Sequence, residues 1–125
     1  MKNVRLMMIA AILLFLTGCS GSDTYRGAWK ATNASGQKFE IVFAAKSFTV
    51  KDSSGKTTSY AYTQNGISIE NSVETYRIKL EDGRSCQVNF PVKDEGIGLI
   101  LDQGGNLLFA ISRKDYITYQ DIFKL

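Results

Sequence analysis

From residue 25 onward, apolar and polar side chains alternate in short runs separated by turn residues, the period of strands with one buried face. The first run covers residues 25–32 and ends at Asn33-Ala34-Ser35-Gly36. Residues 38–43 place Phe39, Ile41 and Phe43 on one face, and residues 47–51 carry Phe48 and Val50. After Ser53-Ser54-Gly55, residues 58–63 put Tyr60 and Tyr62 together. Asn65-Gly66 predicts a two-residue hairpin turn, because both residues tolerate positive φ, with Ile67 and Ile69 on the return strand. Residues 75–80 alternate Tyr76, Ile78 and Leu80 against Thr75, Arg77 and Lys79. Beyond Glu81-Asp82-Gly83, residues 84–92 turn Cys86, Val88, Phe90 and Val92 inward. Two further runs, 97–101 and 107–111, flank Asp102-Gln103-Gly104-Gly105-Asn106.

Eight or nine short strands joined by short turns predict an all-β antiparallel meander. Such a meander tends to close, because closure removes exposed edges. The expected fold is therefore a small barrel, closed or flattened. Pro91 marks an edge, a bulge or an early strand end. The tail, residues 115–125, reads either as a last strand or as a short helix. In the helical reading Asp115 caps it, and Tyr116, Tyr119 and Phe123 share a face.

The first 18 residues are a different kind of sequence. Lys2 and Arg5 precede an unbroken apolar run over residues 6–16. Eleven residues at helical rise cover about 17 Å, short of the ~30 Å of a bilayer core. A basic start, a short apolar run and small residues after it make a secretory signal. The next residues, Leu16-Thr17-Gly18-Cys19, resemble the bacterial lipobox. That resemblance implies a diacylglyceryl group on the Cys19 sulfur, cleavage just before it, and attachment to a membrane of the cell envelope through the lipid, commonly with a palmitate-type chain on the freed amine. Ser20, where such lipoproteins carry Asp for inner-membrane retention, favours the outer membrane; whether the chain faces the periplasm or the surface is open. The expected organisation is a signal peptide over 1–18, a lipidated cysteine and tether over 19–24, and one barrel domain over 25–125.

Composition narrows the function further. Lys2 and Arg5 leave with the leader, so the 15 basic residues fall to 13 against 12 acidic ones, a net charge of +1. The signs alternate along the chain, so the concentrated basic footprint needed for nucleic acid is missing. With no histidine in the chain, a Ser-His-Asp triad, a Cys-His pair and a His-ligated zinc site are excluded. The acidic pairs Glu81-Asp82 and Asp94-Glu95 sit beside glycines at turns, where carboxylates are ordinarily solvated. No enzyme chemistry, cofactor or metal is expected. With Cys19 lipidated, Cys86 has no disulfide partner and reads as a small apolar thiol on a core face, with a reactive or metal-binding thiol as the alternative.

Aromatic residues supply the remaining signal. Tyr60, Tyr62, Tyr76 and Phe90 are candidate walls of a cavity for a small apolar molecule; the alternative is plain core packing. Gly27-Ala28-Trp29 resembles the Gly-x-Trp motif that opens the first strand of lipocalins and related barrels. The resemblance implies that Trp29 closes one end of the barrel and packs on an arginine after the final strand, a place held here by Arg113. Two functions follow as expectations: a lipid-anchored, lipocalin-like binding module for a small apolar molecule, or a solid barrel serving a structural role or an envelope protein partner.

Overall fold

The computed structural model describes residues 21–124, with side chains described as far as Ile122. The leader, the lipobox motif and Cys19 lie outside the described residues. Within them, eight strands form one closed antiparallel barrel in sequence order: β1 (Gly27–Thr32), β2 (Lys38–Phe43), β3 (Ser47–Lys51), β4 (Thr57–Glu70), β5 (Val73–Leu80), β6 (Ser85–Phe90), β7 (Ile97–Asp102) and β8 (Leu107–Ser112). A short helix, α1 (Tyr119–Lys124), follows. Closure is made by β1 and β8, with Lys30 opposite Ser112 and Thr32 opposite Ala110.

A meander places alternate turns at opposite ends, and here the two ends differ in kind. The turns after β1, β3, β5 and β7 share one geometry. In each, a main-chain N–H returns to the carbonyl four residues on, as Asn33 to Gln37, Asp52 to Lys56, Leu80 to Arg84 and Asp102 to Asn106, at 2.8–3.0 Å. The fourth residue is a glycine at positive φ: Gly36, Gly55, Gly83 and Gly105, at 83°, 90°, 96° and 85°. This is the three-residue hairpin loop with a glycine bulge, whose left-handed position favours a residue without Cβ. The side chains of Asn33, Asp52, Asp82 and Asp102 accept N–H bonds within their turns.

The Asn65-Gly66 expectation is corrected. No turn forms there; β4 runs straight through for 14 residues. Asn65 is instead the extra residue of a β-bulge, since Gln64 pairs with Ile78 and Gly66 with Arg77. The bulge shifts the alternation by one, which keeps Ile67 opposite Tyr76 and on the same face as Tyr62 and Gln64. A side chain at 66 would meet the Arg77 guanidinium at 2.6 Å, so glycine serves close packing here. The real turn is Asn71-Ser72, both at positive φ, 52° and 66°. The described residues therefore form eight strands.

The tail is also corrected in detail. Thr118, rather than Asp115, caps α1: the Asp121 N–H donates to Thr118 Oγ1 (3.3 Å) and the Thr118 N–H to Asp121 Oδ2 (2.9 Å). This reciprocal pair is a capping box with Asp at its acidic position. Tyr119 is 41% exposed, and Tyr116 lies before the helix, with the Lys38 and Lys30 ammonium groups 5.2 and 5.6 Å from its ring centre. The residue that docks α1 is Ile122, fully buried against Leu99 and Ala110 on the outside of β7 and β8. Val92 joins this outer cluster rather than the interior, because β6 ends at Phe90, before Pro91. The main core lies inside the barrel, with Trp29, Ile41, Phe43, Ile78, Val88, Phe90 and Ile111 almost wholly buried.

Candidate functional site

At the end bearing the turns after β2, β4 and β6, the barrel is plugged. Residues 21–24, expected as a tether, are bound to it: the Gly21 N–H donates to Ala45 O (2.7 Å) and the Ser22 N–H to Gln64 Oε1 (3.0 Å). Tyr25 then enters the interior and is fully buried. Its ring meets Phe43 edge-on at 5.1 Å and Tyr76 at 5.3 Å, and its hydroxyl donates to Gln64 Oε1 at 2.7 Å. The Tyr62 hydroxyl donates to Ala44 O (2.6 Å). Burial pushes both phenols upward from their ordinary pKa, Tyr25 the further. A buried tyrosine with a satisfied hydroxyl combines apolar filling with a fixed polar tip.

Trp29 completes this end. Its indole N–H donates to Tyr25 O (2.8 Å), and its ring packs on Phe90 at 6.2 Å. The Arg113 guanidinium lies 3.7 Å from the indole centre and donates to the carbonyls of Arg26 (2.7 Å), Ala28 (2.9 Å) and Thr24 (3.3 Å). It stacks on the indole and staples three carbonyls of the entering chain, using the planar donor fork that lysine lacks. Burial lowers its pKa. Gly27 has φ +101° and any Cβ would stand 3.2 Å from Arg113 Nη1, which gives the glycine of Gly-x-Trp a physical reason.

The opposite end is a cup. A cavity of about 240 Å³ opens there, bordered by Leu80 and Arg84 of the turn after β5. Buried Ile41, Phe43, Phe48, Ile78, Leu80, Cys86 and Ile100 line it, with half-buried Val50, Tyr60, Leu108 and Phe109 and the exposed Arg84 around them. Phe48 and Tyr60 stack at 5.1 Å. Arg84, the charged residue of the lining, is held back by Asp82: Nη2 and Nε lie 2.7 and 2.9 Å from Asp82 Oδ2. That contact lowers the Asp82 carboxyl and raises the Arg84 guanidinium. The guanidinium also sits 5.4 Å from the Tyr60 ring centre. Burial pushes the Cys86 thiol up, so it stands in the cup as a neutral group.

The four proposed wall residues therefore separate. Tyr62, Tyr76 and Phe90 belong to the plugged end, packed against Tyr25 and Trp29; Tyr60 alone borders the cup. Alternation placed Phe48, Leu80 and Cys86 inward but held no signal for which inward residues would face a void. That distinction depends on Tyr25, which sequence pattern assigns to β1 and which instead fills one half of the barrel. The acidic pairs lie at opposite ends, Glu81-Asp82 at the cup and Asp94-Glu95 at the plug, so they do not face one another. Glu95 is instead beside Glu74, whose side-chain hydrogen bond, and then its like charge, raise the Glu95 pKa. Among the described residues, no group of three or more His, Cys, Asp or Glu is placed to hold a metal ion. No protein-family model matches the chain, and comparison with curated proteins finds no match.

Proposed function

We propose that this chain is an envelope lipoprotein, anchored through lipid on Cys19, whose lipocalin-like barrel takes a small apolar molecule into its apolar cup. The observation that carries the binding reading is the contrast between a packed lower half and an unfilled apolar upper half within one barrel. A void of about 240 Å³ exceeds the ~150 Å³ that accommodates benzene in an apolar cavity. It falls below the ~300–1,000 Å³ of pockets for drug-sized ligands. The guest is accordingly a single aromatic ring or a short alkyl chain. Burying about 150–200 Å² of such a molecule contributes roughly 4–5 kcal/mol, an affinity from the millimolar to the upper micromolar range. The role is carriage or sensing rather than turnover, since the lining holds aliphatic and aromatic carbon, one neutral thiol and an arginine already paired.

Support for the anchor comes from Leu16-Thr17-Gly18-Cys19 behind a basic and apolar leader. The same motif supports placement in the cell envelope, with the outer membrane favoured by Ser20. The alternative, a solid barrel meeting an envelope protein through its tail, draws little from the geometry. Tyr116 is half-buried beneath two lysines, and Ile122 is spent on docking the helix.

Cys86 provides the test. In the lipidated protein it is the one free thiol, and it lines the cup. Toluene, indole and 1-hexanol should each slow alkylation of Cys86 by a small maleimide, with saturation, while glycerol should not. Alkylation unaffected by every apolar probe up to its solubility limit removes the binding reading. Mass analysis showing an intact leader and unmodified Cys19 removes the anchor.

A further inference from the structure

The β4–β5 hairpin ends at the plugged side of the barrel and is the most apolar exposed feature there. β3 pairs with β4 only over residues 57–61. Residues 62–70 pair with β5 alone, so this half of β4 has no strand on its other edge among the described residues. Ile67 and Ile69 lie on it, 54% and 67% exposed, directly opposite Tyr76 and Glu74. The same end receives the N-terminal chain, with Gly21 pinned to Ala45 and Ser22 to Gln64, the latter two residues before Gly66 and three before Ile67 on β4.

We propose that the plugged end of the barrel rests on the bilayer that holds the Cys19 lipid, with Ile67 and Ile69 seated in its interfacial layer and the cup opening away from the membrane. This inference rests on the anchor reading above. Cys19 is two residues before Gly21, and two residues of chain reach at most about 7 Å in any conformation. A lipid on that sulfur therefore brings the Gly21 end of the barrel, and no other, to the membrane surface. The patch found there suits that position. A pair of half-exposed isoleucines on a hairpin is a liability in water but adds apolar burial to a lipid anchor. The opposite rim offers no such patch: the exposed large apolar residues among those described are Val42, Ile67, Ile69 and Tyr119, and none lies in its turns. Charges of both signs share that end, Glu70, Glu74, Asp94 and Glu95 with Lys46 and Lys93, so the matching surface is zwitterionic.

The test uses the full lipidated protein in phosphatidylcholine vesicles, in a Cys86→Ala background so that introduced thiols are unique. A nitroxide is placed at Ile69→Cys and, separately, at Ser54→Cys on the cup rim. Mass analysis first verifies the diacylglyceryl group on Cys19. With that group present, the label at 69 should be several-fold less accessible to a water-soluble nickel chelate than the label at 54, and more accessible to oxygen dissolved in the bilayer. Equal exposure of both labels, or protection at 54 instead, overturns the orientation while leaving the anchor standing. Protection at 69 that rises with protein density in the vesicles assigns the patch to a second copy and likewise overturns it. Absence of the lipid mass overturns the anchor reading and the orientation together.

Discussion

The two ends of this barrel grow from the same alternating strands, yet one is filled and the other is hollow. At the plugged end, Tyr25 and Trp29 fill the interior and every buried polar group of that pair has a partner: the Tyr25 hydroxyl on Gln64, the indole N–H on the Tyr25 carbonyl, Arg113 across three carbonyls. At the cup, strands of the same composition are capped only by glycine-bulge turns, and about 240 Å³ stays open. The difference teaches that the interior of a small barrel is decided less by the inward residues of its strands than by what enters from the ends. One segment of six residues, 21–26, turns one half of a potential cavity into core.

The largest way to break the contrast is Trp29→Ala. It removes the central ring of the plug and leaves the Arg113 guanidinium without its stacking face. The expected loss is about 3–5 kcal/mol, read as a lower urea midpoint. Arg113→Lys is milder, about 1–2 kcal/mol, because charge remains while the three-carbonyl fork is lost. At the cup, Leu108→Ala should cost only about 1 kcal/mol, below the usual range for buried leucine, since Leu108 is half-buried beside an existing void. The same change should admit larger aromatic guests, measured by protection of Cys86. A loss from Leu108→Ala equal to that from Trp29→Ala would mean that the two ends are packed alike.

The ends should also respond to opposite limits of pH. Tyr25 and Tyr62 have raised pKa values in the folded chain. Their contribution to stability is complete below the ordinary phenol value near 10 and is lost as pH rises above it. Tyr25→Phe should flatten that alkaline limb while costing about 1 kcal/mol at neutral pH for the lost hydroxyl bond. The carboxyls of Asp52, Asp82 and Asp102 are lowered by turn hydrogen bonds. Their contribution is present above the ordinary carboxyl value near 4 and fades as pH falls through the lowered ones. These groups lie at the surface of their turns, so the acid effect is the smallest expected. Amide exchange below pH 4 at Ser54, Arg84 and Gly104, whose N–H groups donate to these carboxylates, reads it locally.

Much of this architecture was legible because alternation reports directly on a barrel with a wet outside. Residues 38–43 and 47–51 coincide with β2 and β3, and Tyr76, Ile78 and Leu80 face inward as their spacing requires. The Asn65-Gly66 dipeptide misled because the residues that suit a two-residue turn also suit a bulge, and the choice between them was made six residues later by Asn71-Ser72. The short helix of the tail was legible, but its cap and its docking residue were not: Thr118 caps it, and Ile122 meets the apolar outer face of β7 and β8. Gly-x-Trp with a distant arginine was visible at both chain ends, and the structure stacks the two side chains at 3.7 Å. The cup itself was hidden, since a void is set by the volume left over after Tyr25 enters, and no local pattern encodes that remainder.

The account rests on the cup accepting an apolar guest that the plugged half refuses. Crystals of the protein under xenon pressure test it most directly. The predicted result is one xenon site within the cup, in contact with Phe48, Leu80, Cys86 and Phe109, with nothing between Tyr25, Tyr62, Tyr76 and Trp29. Xenon among the plug aromatics, or a cup that stays empty of it and closed over by its own side chains, would contradict the division of the barrel into a filled and an open half.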